Sequence, residues 1–270
     1  MHNVSPAVYL IAKTNVIEEG ARAWLDGLGA QEYKLEQDRT NGEQLVMLAG
    51  KRCYKAFVAK LNPNVTKVRD DATKYIDNIL ESGHGSVLEH MVFTFAIENI
   101  SRVFTGEMNR HRAGVAISEG SMRYIRYEDI PFWIPTSLQP AEDDTPELAR
   151  KKELSRKIMQ NVFSMVEANY KELVEIWKDE LSDGSKFKYK KQITSMMRRI
   201  IPMGIATGGV WSGNLRALRH IFNLRCSAAA EEEILLVATS MLTIMKDQEP
   251  TIFGDFKMID GCWTAKYPKV

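Results

Sequence analysis

Arg110-His111-Arg112 sets two permanent cations and one titratable imidazole in consecutive positions. Glu119, Ser121, Arg123 and Tyr124 follow shortly after, and Ser121 with Arg123 offers a hydroxyl and a guanidinium two residues apart. Such a pair can clamp a phosphate monoester, because a planar guanidinium matches phosphate oxygens bidentately. Toward the C-terminus, Asn214, Arg216 and His220 fall within seven residues, with Arg225 beyond them and Arg198-Arg199 before. Arg216 and His220 stand at i,i+4 and share a helical face. Cations on helices otherwise made of Leu215, Leu218, Ile221, Phe222 and Leu224 are expensive to bury unless they meet an anion. Taken singly, the Arg-His-Arg triplet also reads as a solvated face, or as cations on helix C-terminal carbonyls. Two anionic ligands, a dinucleotide and a nucleotide, account for both groups together without a metal.

Other chemistries lack their residues. Gly83-His84-Gly85 opens like a dinucleotide loop, but position 88 is Leu and a helical pattern precedes it, where a Rossmann fingerprint needs a glycine and a strand. His2, His84, His90, His111 and His220 form no HExxH and have no cysteine partners at zinc spacing, so no metal is expected. Neither a GxSxG elbow nor a Walker loop occurs. Cys53, Cys226 and Cys262 make no CxxC and are too scattered for a disulfide framework; all three are expected to be reduced and packed.

The elements that must position these groups follow from periodicity. Val8–Ala12 is strand-like, and Glu18–Leu28, Leu45–Phe57 and Asp70–Glu81 carry helical spacing, the last stopping at Ser82-Gly83. Met91, Phe93, Phe95 and Ile97 alternate with Val92, Thr94 and Ala96, the period of a strand with one bulky face. Asn99 or Ser101 can cap a helix running toward Arg110. Residues 136–145 read as a surface loop, and Thr145-Pro146-Glu147 as a helix start. Leu154, Ile158, Val162, Met165, Leu173 and Trp177 then form a stripe to about Leu181, expected to be core or a subunit contact, before a break at 182–185. Further helical blocks are expected from Thr194, interrupted at Pro202, and over Leu215 to about Asp247. With no repeat or linker, the expectation is one α+β domain over 1–270, helix-rich with a modest antiparallel sheet.

Bulk properties agree with a folded, unspecialised surface. Lys and Arg number 36 against 35 Asp and Glu, a net charge of +1 that gives no diffuse field for nucleic acid or membrane lipid. Neither partner is expected. The short apolar run at 7–12 lacks a basic flank, and Ile234–Met245 is too short to span a bilayer, which points to a cytoplasmic protein.

The stretches HGSVLEHMVFTF, RHR, SEGSMRY, RRIIP and NLRALRHIFNLR, in that order, resemble the flavin-dependent thymidylate synthases over roughly residues 45–255. The resemblance implies a homotetramer with active sites between subunits, each taking FAD, a uridine monophosphate and a folate. It implies that Ser86, Arg110, His111, Arg112 and Glu119 contact FAD, with Asn214, Arg216 and His220 as flavin contacts from another subunit. It implies that Gly120, Ser121 and Arg123 hold the nucleotide phosphate, with Arg110 and Arg198 adding cations, and that the catalytic Arg225 lies against the uracil ring. His84 is matched to the folate side. The implied reaction moves a one-carbon unit from methylenetetrahydrofolate to uracil C5 of dUMP, with FAD carrying hydride, NADPH as reductant and no cysteine nucleophile.

Two positions depart from the family pattern. The spacer from Arg112 to Ser121 is eight residues (113–120), one more than usual, and Glu107 stands where the family commonly has a nucleotide-contacting Gln. Glu107 and Arg110 at i,i+3 can simply be an ion pair; alternatively the carboxylate accepts a ribose hydroxyl and turns the site toward UMP. A third reading is a nucleotide-binding relative without catalysis.

Overall fold

Local chemistry starts most of the helices. The computed structural model describes every residue except Met1, Gln37, Asp70, Asp183 and Ser185. In chain order the elements are β1 (His2–Asn3), β2 (Ala7–Lys13), α1 (Glu18–Gly27), α2 (Asn41–Tyr54), α3 (Ala72–Glu81), β3 (Val92–Ser101), α4 (Arg102–Met108), β4 (Val115–Glu119) and β5 (Pro131–Phe132). They continue with α5 (Pro146–Ile176), α6 (Lys178–Leu181), α7 (Phe187–Met197), β6 (Ala206–Asn214), α8 (Leu215–Arg225), α9 (Glu232–Gln248), α10 (Pro250–Phe253), β7 (Phe256–Ile259) and β8 (Cys262–Ala265). The fold is α+β and helix-rich. Its main sheet has four strands in the order β2-β3-β6-β4, beside two two-stranded pairs, β1 with β5 in parallel and the antiparallel hairpin β7-β8. No helix among the described residues is long and apolar enough to cross a membrane.

Capping decides several boundaries. Ser101 receives the amide protons of Val103 (3.1 Å) and Phe104 (3.3 Å) and starts α4, whereas Asn99 lies within β3 with a left-handed φ of 61°. Thr145 accepts from the Leu148 amide ahead of Pro146 and launches α5 as expected. α2 begins at Asn41, four residues ahead of Leu45, because Thr40 and Glu43 form a reciprocal capping box. α7 begins at Phe187, ahead of Thr194. Leu215–Asp247 is two helices, since Glu231 accepts from the amides of Glu233 (2.9 Å) and Ile234 (3.2 Å) and starts α9 afresh. α3 starts at Ala72; Asp70, Asp183 and Ser185, which bear on two expected boundaries, lie outside the described residues.

Two compact units compose the chain, with boundaries inside strands of the main sheet. One comprises Met1–Tyr9, Ala96–Arg110 and Ile117–Val210; the other comprises Leu10–Phe95, His111–Ala116 and Trp211–Val270. In the first, Ile130, Val166, Tyr170, Leu181, Ile193, Met197 and Ile205 make the core, and Phe132 stacks on Phe163 at 4.7 Å. α5 buries Phe163, Val166 and Tyr170. Of the stripe expected to be core or a subunit contact, Leu154 49%, Ile158 64%, Val162 42% and Met165 58% are exposed on the chain's surface, while Leu173 and Trp177 pack partly against the core.

In the second unit, Leu25, Ala30, Leu35, Leu48 and Phe57 form one cluster, and α8, α9 and α10 bury Leu218, Ile221, Phe222, Met241, Leu242 and Phe253. The bulky strand face reads as expected, for Met91, Phe93, Phe95 and Ile97 are all fully buried. Arg219 is the exception among these apolar groups. It is 0% exposed and held bidentately by Asp255 at 2.7 and 2.9 Å, against the rings of Phe253 and Phe256.

Candidate functional site

Within the second unit a polar cluster forms where α3 ends and α8 begins. Gly83 turns the chain at φ +70°, and a 3-10 turn at Gly85–His90 follows, carrying His84 at its start and Ser86 and Glu89 within it. Gly85 is buried, and a Cβ there would meet Arg216 Nε at 2.7 Å. Asn214 caps α8 by accepting from the Ala217 amide (2.8 Å), and its own amide donates to the carbonyl of Gly114 (3.0 Å). Gly114 has φ +70°, and a Cβ there would strike the Asn214 carboxamide. Arg216 and His220 project from the same exposed face of α8, and Arg216 pairs with Glu89 at 2.5 Å.

Arg216 lines two hollows in this unit. One, of about 330 Å³, also exposes Asn214, His220 and Glu89; the other, of about 390 Å³, exposes His84, Ser86, Cys53, Tyr54 and Tyr75. Burial pushes the Tyr75 phenol up to about 12. Beside them, Arg225 Nε donates to His111 Nε2 at 2.9 Å, and the His111 ring meets that of His220 edge-on at 6.0 Å. An accepting Nε2 carries no proton, so His111 is here the neutral Nδ1–H tautomer. Arg112 is exposed.

The first unit holds a second group. Glu107 and Arg110 form an ion pair at 3.5 Å. Glu119, matched to FAD by resemblance, has its carboxylate engaged by Arg102 and by Asn109 Nδ2 (2.9 Å). Gly120 donates to the Gly208 carbonyl (2.8 Å) and accepts from Arg102 Nη2 (2.6 Å), and a Cβ there would meet Thr207 Oγ1 at 2.8 Å. The Ser121 carbonyl then takes the amides of Tyr124 and Ile125 (3.0 and 3.1 Å), a tight turn that sets Arg123 outward.

Arg123, Lys188, Lys191 and Arg199, with Gln192 and Ser195, line a cleft of about 510 Å³ with no carboxylate among its described lining residues. Four cations around one hollow favour a phosphate dianion. Lys191 also lies over the Tyr124 ring at 4.8 Å and lowers that phenol by hydrogen bonding, and Tyr124 stacks on Phe187 at 6.1 Å.

Some of these residues escape the sequence. Arg199, not Arg198, lines the basic cleft with Arg123; the two arginines sit side by side in the 3-10 turn Arg198–Ile200 that follows α7. Glu89 is visible only as a carboxylate inside the apolar run VLEHMVF. Lys188 and Lys191 sit at i,i+3 on α7, which reads as a surface charge run until its face is known. Pro268–Val270 line the hollow with Asn214, a long-range approach that no local pattern announces. Among the cysteines, Cys226 beside Arg225 is fully buried with its thiol pushed up to about 12 by burial, while Cys53 is exposed.

Comparison with known proteins gives the context. The family model described as "Thymidylate synthase complementing protein" matches residues 34–251. The "Flavin-dependent thymidylate synthase" of Corynebacterium diphtheriae is 32% identical over 243 residues, covering 88% of this chain and 90% of that one. Its namesake from Mycobacteroides abscessus is 33% identical over 267 residues, covering 97% and 96%. Among solved structures, the UMP/dUMP methylase PolB from Streptomyces cacaoi, bound with 5-Br UMP, superposes with a TM-score of 0.64 over 94% of this chain and 95% of that one. At 16% identity that likeness speaks for the fold alone. The family match spans well over half the chain and the curated relatives cover nearly all of it, so the chain belongs to the flavin-dependent thymidylate synthase family.

Proposed function

We propose that this protein is a cytoplasmic enzyme that reductively methylates dUMP at uracil C5. Methylenetetrahydrofolate gives the carbon and leaves as tetrahydrofolate, and NADPH is the reductant. FAD, when bound, supplies the hydride relay that amino-acid side chains lack. The observation that carries this reading is the gathering of Ser86, Asn214, Arg216 and His220 around two hollows that share Arg216. Their donor set suits an elongated ligand with an anionic middle: one cation common to both hollows, tyrosine walls in one, polar side chains in the other. Gly85 and Gly114 keep Cβ atoms out of that space, where they would meet Arg216 and Asn214.

The chain's own residues then divide the work. Arg123, Arg199 and the Gly120-Ser121 turn hold the nucleotide phosphate. Arg225, its plane fixed by neutral His111, stabilises negative charge developing on the uracil N3/O2 edge. Cys226 stays a buried thiol, which supports a reaction without an enzyme cysteine nucleophile. His84 faces the hollow that the folate would approach. The exposed stripe of α5 supports a homotetramer with active sites between subunits.

Glu107 bears on the sugar. Its pairing with Arg110 favours dUMP over UMP, because the carboxylate is already answered by a guanidinium. The test is a competition: protein with FAD, NADPH and methylenetetrahydrofolate receives equal dUMP and UMP, and products are resolved by mass. Mostly dTMP is expected. Mostly 5-methyl-UMP overturns the dUMP assignment and makes Glu107 a specificity residue. No methylated product, with FAD bound, leaves a nucleotide-binding relative without catalysis.

A further inference from the structure

The buried Arg219 has no part in the chemistry above, yet its two terminal nitrogens make four hydrogen bonds, and Nε alone is buried without a partner. Arg219 takes both oxygens of Asp255 (2.7 and 2.9 Å), donates to the carbonyl of Ile252, and donates to the carbonyl of Tyr267 at 3.1 Å. Asp255 in turn accepts the Tyr267 amide (3.2 Å), and Tyr267 Oη donates to Asp77 of α3 (2.7 Å). Asn223 of α8 adds a bond to the Pro268 carbonyl at 3.4 Å. A desolvated guanidinium is costly unless it is paired, and here Asp255 pairs it and, through the Tyr267 amide and carbonyl, the pair ties down the segment that follows β8. That segment is pinned to α8 through Arg219 and Asn223, with Tyr267 8% and Val270 5% exposed.

What the pinning achieves is visible in the hollow of about 330 Å³. Pro268, Lys269 and Val270 line it together with Asn214, Arg216 and His220. Lys269 is exposed, as a side chain must be to meet a ligand entering from solvent. Glu89, the carboxylate side chain among the described residues that line this hollow, is paired with Arg216 at 2.5 Å, and Lys269 adds a further cation to the lining. The segment lies beyond residue 251, where the family match ends.

We propose that Tyr267–Val270 is part of the dinucleotide site, with Lys269 supplying a cation to the diphosphate of the cofactor and the Arg219–Asp255 latch holding the segment in position. The inference rests on FAD being the cofactor of this cluster. It assigns the buried latch a positioning role and Lys269 a binding one.

The test is FAD titration of the purified full chain, followed by flavin fluorescence at several salt concentrations, for wild type and for Lys269→Gln, Lys269→Glu and Lys269→Arg. Lys269→Gln is expected to raise Kd about fivefold to tenfold, the scale of one lost charge-assisted contact to phosphate, and Lys269→Glu to raise it further. Lys269→Arg should restore binding, and the salt dependence should become shallower in the Gln variant, a change that mere loss of packing does not produce. Kd values for Lys269→Gln and Lys269→Glu within about twofold of a wild type that binds FAD would overturn the proposal alone. A wild type that binds no FAD would overturn both the proposal and the cofactor reading beneath it.

Discussion

The hydrogen bond from Arg225 Nε to His111 Nε2 sets a guanidinium plane and a protonation state together. Charge-assisted bonds of this kind are worth about 1.5–3 kcal/mol, enough to hold a flexible arginine in one rotamer. Arg225→Ala is therefore expected to lower kcat on the order of 10²-fold or more, the scale of removing an electrostatic stabiliser, while the protein keeps its FAD. Unchanged turnover would remove Arg225 from the chemistry. His111→Ala should weaken flavin retention and also loosen Arg225; a variant that purifies fully yellow would contradict the first part. Residue identity at this scale is readable from sequence wherever the type is rare in its context, as with Arg-His-Arg or Asn214-x-Arg216. It is not readable where neighbours are alike. Arg198 and Arg199 are chemically equal in the sequence, and only the 3-10 turn after α7 puts the second of them in the cleft with Arg123.

Helix α2 carries a titratable cap. Glu249 is 0% exposed at its N-terminus, accepts from Thr40 Oγ1 and from the Gly42 amide at 3.3 Å, and is pushed up to about 7 by burial, with Glu43 adding like-charge repulsion. The folded chain thus binds a proton here that the unfolded chain, at the ordinary value of 4.5, has released. Stability falls as pH rises from about 4.5 to about 7 and levels off above, by an amount on the order of 3 kcal/mol. Glu249→Gln keeps an acceptor and removes the charge, so its melting temperature at pH 8 should exceed that of wild type and vary less between pH 5 and 8. Parallel pH profiles for the two proteins would show that Glu249 does not titrate in this range. Gly42 cannot take a Cβ without meeting this carboxylate. Elements were legible where one signal dominated, as with Thr145-Pro146 or the alternation of β3. The split between α8 and α9 was not, because Ala228–Ala230 are the best of helix formers and the break is set by Glu231 folding back on Glu233 and Ile234. The β7-β8 hairpin was legible in principle: Asp260-Gly261, both at positive φ (50° and 79°), is the dipeptide that two-residue hairpin turns demand.

At the scale of the molecule, the sequence announces a long amphipathic helix but not which of its faces is covered within one chain. α5 turns Phe163, Val166 and Tyr170 inward and leaves Leu154, Ile158, Val162 and Met165 in solvent, so two apolar stripes occupy one helix. A stripe of four large apolar side chains at helical spacing costs free energy to hydrate and is stabilised by burial at about 25 cal/mol per Å². Periodicity alone cannot separate a stripe that meets the chain's own core from one that meets another copy. Exposure shows here which stripe the chain's own core leaves uncovered. Ile158→Lys together with Val162→Lys places two charges in that outer stripe while leaving the inner one intact. The variant should fold with unchanged far-ultraviolet circular dichroism, yet light scattering should report a mass below that of a wild-type tetramer. On the proposed tetramer with active sites between subunits, turnover should fall with the mass. A variant that keeps the wild-type mass would place the contact on another surface. A wild type that is already monomeric would leave the outer stripe bare, and with it the argument that the active sites are shared.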